Sequence, residues 1–217
     1  MCSSDLLSSV QGATLWKEDV ERLVSDAYVV GEVQPDVPAW PLFVSNPAQP
    51  NTKPELKAWA FESNDFTTAR GYSGRPINIF IVIDLSGKFL MIQLLEHKEP
   101  LFLRNEDTLR LQTYANQHKG LSLRHSLQLG RATDTFSKNE QSAFLQGVHT
   151  GTITAKAISR TIMTAAANVA RAKMKIDSPE PGEDRIGTSE SPVPRASEPE
   201  SPPLTAASTA APAAANA

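Results

Sequence analysis

The sequence predicts an α+β domain, an antiparallel sheet with packed helices. Two β-rich runs, residues 77–84 and 88–96, are separated by a short Gly-containing turn, Leu85-Ser86-Gly87, and so read as a hairpin. Helical patterns stand at both ends of the chain and after the hairpin, without the regular strand–helix alternation of a doubly wound nucleotide fold. The longest apolar run, residues 79–83, has the length of a strand.

Each element has its own signal. Residues 15–27 read as a helix capped by Thr14, with Leu15, Val20, Leu23, Val24 and Ala27 as its apolar stripe. Residues 34–54 carry six prolines, each without a backbone donor, and read as an extended, ordered loop. Residues 56–61 have a strand's composition, with Trp59 and Phe61 on one face. After the hairpin, residues 105–118 read as a helix, with Asp107 near its start and Gly120 just past its end. A shorter strand region is expected within residues 121–136. The last element is a helix over about residues 153–174, with Ile158, Ile162, Ala165, Ala166 and Val169 on one stripe.

Composition divides the 217 residues into a lead-in (1–54), a main domain (55–176) and a tail (177–217). The tail has no aromatic residue, holds eight of the 16 prolines and carries seven acidic against two basic side chains. Such a Pro/Ala-rich segment buries too little apolar surface to offset its chain entropy, so a disordered tail is expected. The net charge of −3 makes a basic nucleic-acid coat an unsuitable description. The basic last helix does not make a DNA reader either, because its apolar stripe belongs on the sheet and no helix-turn-helix spacing surrounds it. A single cysteine, Cys2, excludes an internal disulfide and any Cys-based metal site held by this chain alone. No run approaches the roughly 20 apolar residues of a membrane span. The opening Met-Cys-Ser-Ser-Asp lacks the pattern of a secretory signal.

Chemical signals are few. His97, His118, His125 and His149 show no metal-ligand spacing, and no Ser elbow, Walker loop or Gly-x-Gly-x-x-Gly fingerprint is present, so neither a catalytic nor a metal site is expected. Gly71-Tyr72-Ser73-Gly74-Arg75-Pro76 offers an aromatic face on a turn whose glycines allow close backbone approach. Glu96-His97-Lys98-Glu99-Pro100 ends a buried strand; charges there either line a site or mark a solvated strand end. Gly147-Val148-His149-Thr150-Gly151-Thr152-Ile153-Thr154 opens the last helix, where free backbone N–H groups and the helix dipole favour an anion. Lys156 and Arg160 lie near enough to add positive charge, and no acidic residue occurs from Gln141 to Ile176. Ordinary N-capping explains the same pattern.

Together these blocks resemble the FMN-binding domain of the NosR/NirI regulatory flavoprotein family. Residues 71–77 are similar to that family's Gly-Tyr-Ser-Gly-Lys-Pro-Ile, and residues 96–100 to its Glu-His-His-Glu-Pro, within a resemblance covering roughly residues 55–174. The resemblance implies FMN as cofactor, with Thr152 at the position where relatives attach it through a phosphoester. It places Thr150, Gly151, Ile153 and Thr154 around the phosphate, and Tyr72, Gly74, His97 and Glu99 toward the flavin ring. The attachment motif departs from the family at Gln146, His149, Thr150 and Gly151, which leaves covalent and noncovalent binding both open. The implied role is electron transfer or regulation linked to nitrous oxide or nitrite reduction, as a redox carrier rather than an enzyme with its own substrate. It further implies a redox partner protein, a membrane-bound one included, no nucleic acid, and a periplasmic or membrane-associated location. The contrasting expectation is a flavin-free interaction module that keeps the fold.

Overall fold

A computed structural model describes residues 15–46, 52–130, 142–148, 151–176 and 186–188. In chain order the elements are α1 (Lys17–Leu23), β1 (Val29–Val30), β2 (Ala39–Val44), β3 (Glu55–Glu62), β4 (Asn78–Asp84), β5 (Phe89–Glu96), α2 (Asn105–Asn116), β6 (Ser126–Gly130), β7 (Ser142–Gln146), α3 (Thr152–Val169) and β8 (Ile186–Thr188). Strands β1 to β5 form one antiparallel sheet in sequential order, so the α+β expectation holds. The lead-in joins this sheet directly: β2 pairs with β3, Trp40 opposite Ala60.

Both faces of the sheet are covered. Ile77, Ile79, Ile81 and Ile83 point to one side with Trp59 and Phe61, and pack against Ile158, Ile162, Ala165, Ala166 and Val169 of α3 and Leu111 and Tyr114 of α2. Phe80 and Val82 point to the other side with Trp40, Leu42, Ala58 and Ala60, under Val20 and Val24 of α1 and the segment after it. Burial on both faces is why β4 reads as a continuous apolar run rather than an alternating one. Each of those large side chains contributes about 2 kcal/mol by leaving water. The β4–β5 turn is closed by Asp84, whose Oδ1 accepts from the Ser86 N–H (2.8 Å), the Ser86 hydroxyl (2.6 Å) and the Lys88 N–H (2.9 Å).

Three local expectations change. The first helix stops at Leu23: Val24 is extended, the Tyr28 N–H bonds the Ser25 carbonyl, and Ala27 is exposed. Its start is closed by Asp19 accepting from the Trp16 N–H, while Thr14 lies outside the described residues. The Pro-rich segment contains β2 with Pro41 inside it. The Pro41 carbonyl accepts from Gly31 N (2.8 Å), so its missing N–H faces the side where β1 has already ended, and the ladder to β3 is spared. The segment is also tied to the helical turn that follows α3, where Lys173 Nζ reaches Asp36 and Gln34 and lies 5.5 Å from the centre of the Trp59 ring. Third, a separate parallel sheet exists, in the order β7-β6-β8. Among the described residues the expected strand region contributes β6, and residues 131–136 lie outside them. Of the tail, residues 186–188 form β8, while the other residues of 177–217 lie outside the described ones.

Helix α2 closes one edge of each sheet with side-chain amides. Gln112 accepts from Leu94 N (2.7 Å) and donates to the Ile92 carbonyl (2.9 Å) of β5. Gln117, just past the helix, accepts from Gln146 N (2.7 Å) and donates to the Gln146 carbonyl (2.9 Å) of β7. Each amide substitutes for one residue of a missing neighbour strand, which blocks pairing with another chain. Gln112→Leu is expected to cost about 2 kcal/mol by orphaning two backbone groups. It should also promote self-association, both measurable by urea unfolding and size-exclusion chromatography.

Candidate functional site

The sequence blocks converge on one carboxylate. Glu99 follows β5, in the short segment leading into a 3-10 turn at Pro100–Phe102, and its side chain is fully buried. Glu99 Oε2 accepts from Tyr72 N (3.0 Å), and Oε1 from Ser73 N (3.1 Å). Thr154 Oγ1, in the first turn of α3, donates to Oε2 at 2.5 Å. Burial pushes the Glu99 carboxyl up, but the Thr154, Ser73 and Tyr72 donors outweigh it and hold the group below the ordinary carboxylate range. It therefore stays charged, as donors of fixed direction solvate it in place of water.

The turn that supplies two of those donors is closed on itself. Arg70 and Pro76 form an antiparallel bridge, Gly71 N bonds the Arg75 carbonyl (2.9 Å), and Gly74 N bonds that of Gly71 (3.1 Å). Gly74 has φ +72, and a Cβ there would meet nothing within 4 Å. Gly71 is confined: a Cβ would lie 2.1 Å from Glu99 Oε1. With its backbone held inward, the Tyr72 ring stands 60% exposed.

At the other side, Gly151 caps α3 and lies against the Phe102 ring, which a Cβ would approach to 2.6 Å. Thr154 is buried and turned to Glu99, whereas Thr152, Ile153 and Lys156 are exposed. Thr150, and with it His149, lies outside the described residues. His97 is half-buried: Nδ1 accepts from Glu99 N (3.3 Å), and Nε2 lies 3.3 Å from Thr108 Oγ1, which itself donates to the Phe102 carbonyl. Burial, with Lys98, lowers the His97 pKa against the pull of Glu99, so the ring is neutral at pH 7.

The structure thus brings Tyr72, Glu99, Thr154 and Gly151 into one corner, with Thr152 and Ile153 on its outer rim and His97 behind it. Glu99 and Thr154 spend their polar atoms on each other and on the turn, so both hold the frame. Phe102 and the Ser73 N–H complete the corner. Ser73 lies within the Gly71–Pro76 block, but nothing local in the sequence marks Phe102 as the partner of Gly151.

Over 116 residues, 54% of its length, the chain is 28% identical to "Regulatory protein NosR" of Stutzerimonas stutzeri. It is 27% identical over 116 residues to "Regulatory protein NosR" of Pseudomonas aeruginosa. About half of this chain is thus similar in sequence to NosR. The match spans 15% and 16% of the lengths of those two curated relatives. No family model matches the chain. Among the described residues, no helix is long and apolar enough to cross a membrane, and no group of His, Cys, Asp and Glu is placed to hold a metal ion.

Proposed function

We propose that this chain is a NosR-like regulatory flavoprotein domain that binds FMN at the Glu99 corner. Its role would be electron transfer or regulation linked to nitrous oxide or nitrite reduction. The supporting observation is the cluster of Tyr72, Ser73, Glu99 and Thr154, which ties an exposed aromatic ring to the first turn of an 18-residue helix.

The residues present fit such a group. Tyr72 offers an exposed π-face for a flavin ring. The Thr152 hydroxyl and Lys156 are exposed at the helix start, where first-turn N–H groups and the dipole favour a phosphate. Glu99 is satisfied internally and asks nothing of the ligand. FMN supplies one- and two-electron exchange when bound; the chain's own residues orient it and shield one side. The reading makes the protein a redox carrier, served by a partner redox protein in the periplasm or at a membrane.

FMN titration of the chain, prepared with and without a flavin transferase, tests this. Affinity in the micromolar range is expected, with Tyr72→Ala weakening it by about tenfold through loss of a stacking face. Where the transferase adds one FMN mass, Thr152→Ala should abolish the adduct. Colourless protein without flavin affinity would remove the ligand.

A second reading is a flavin-free interaction module. It is favoured by the altered Gln146, His149, Thr150 and Gly151 and by exposed Leu101, Leu103 and Leu109 beside the corner. Flat absorbance at the flavin wavelengths, with a captured partner, would select it.

A further inference from the structure

We infer that Glu99 is the positioning residue of this corner: it contacts no ligand and latches the Tyr72 turn to the first turn of α3. The inference rests on the FMN reading for the identity of the ligand and on the geometry for the latch. The carboxylate comes from one segment, two of its donors from the 71–74 turn and the third from α3, so three pieces of chain meet at two oxygens. The anion is fully buried, and a ligand that took any of these donors would leave it with fewer partners. Glu99 therefore keeps them. The consequence falls on Tyr72, whose backbone is fixed while its ring stands free. A ring with an anchored root loses little freedom on stacking, which is preorganisation.

Residue-resolved hydrogen exchange on the intact chain tests the latch, with the amides of β4 as the internal reference. Thr154→Val keeps the volume and removes the hydroxyl; Thr154→Ser keeps the hydroxyl. In Thr154→Val, exchange at the Tyr72 and Ser73 amides should rise by about tenfold, the effect of losing one hydrogen bond to a charged group. The β4 amides should stay as in the native chain, and Thr154→Ser should restore the native rates. Glu99→Gln is the second probe. Its amide must face at least one N–H with a donor, so it too should release the turn. Flavin fluorescence titration on the same proteins should follow the same order, weaker in Thr154→Val and native-like in Thr154→Ser.

Unchanged exchange at Tyr72 and Ser73 in both Thr154→Val and Glu99→Gln would overturn the latch. So would acceleration that β4 shares equally, since that reports ordinary destabilisation. Selective release of the turn in a chain that binds no FMN would support the latch and defeat the flavin reading instead.

Discussion

Gly71→Ala is expected to destabilise the fold by about 3 kcal/mol, at the upper end of what overpacking a tight site costs. The added Cβ would lie 2.1 Å from Glu99 Oε1 and 2.7 Å from its Cδ, so the carboxylate has to move. Moving it breaks contacts with Tyr72 N, Ser73 N and Thr154 Oγ1 around a buried charge. Gly74→Ala is the control. That position has φ +72 but open space around it, so its cost is the backbone penalty alone, about 1 kcal/mol. Urea midpoints of the two variants separate close approach from backbone strain. Equal losses would mean that Glu99 steps aside freely and that the corner is not a rigid unit.

The second large effect is acid sensitivity centred on His118. This ring is fully buried between α2 and α3. Its Nδ1 donates to the Ala115 carbonyl (3.0 Å), and its Nε2 accepts from the Ser159 hydroxyl (3.0 Å), which in turn accepts from the Tyr114 hydroxyl (2.6 Å). Ala115 O only accepts, so a neutral ring fixes the direction of the whole chain of bonds. Burial pushes the His118 pKa down to about 4, against hydrogen bonds to backbone that raise it. The unfolded chain, with an ordinary His near 6.5, takes up a proton that the folded chain refuses. Stability from His118 is therefore complete above about pH 6.5 and is lost as pH falls toward 4, by about 3 kcal/mol.

Asp65 works in the opposite direction. Burial, then the Glu62 charge, raises its carboxyl to about 6, so the folded state binds that proton first and gains stability as pH falls through 6. Asp65 is only partly buried, and its gain is the smaller of the two. Denaturant unfolding between pH 7 and 4 should show a shallow net loss in the native chain. The loss should steepen in Asp65→Asn and shrink in His118→Gln. A native-like slope in His118→Gln would show that this ring does not govern the acid limb.

Several parts of this molecule were legible because they depend on neighbours in sequence. The hairpin followed from two β-rich runs and one Gly turn, and the α3 stripe from the spacing of Ile158, Ile162, Ala165, Ala166 and Val169, which are all buried. The blocks around Tyr72, Glu99 and Thr154 were visible as residues, and they do meet. What they do to one another was not visible. Thr154 and Glu99 are 55 positions apart, and Tyr72 and Glu99 27 apart. No local pattern says that the carboxylate turns inward and consumes the donors on both sides. Strand β2 was hidden for a related reason. Pro41 argues against a strand unless the reader knows that β1 ends opposite it, and that is a fact about pairing.

By itself, then, the sequence determined the periodicities: which runs become strands or helices, and which faces seek a core. Periodicity is enforced by the local geometry of the backbone, so it is written in adjacent residues. Only the tertiary structure decided the partners of the buried polar groups, the parallel second sheet and the edge-closing glutamines. Those depend on which donors and acceptors lose water together, and that is settled when distant segments pack.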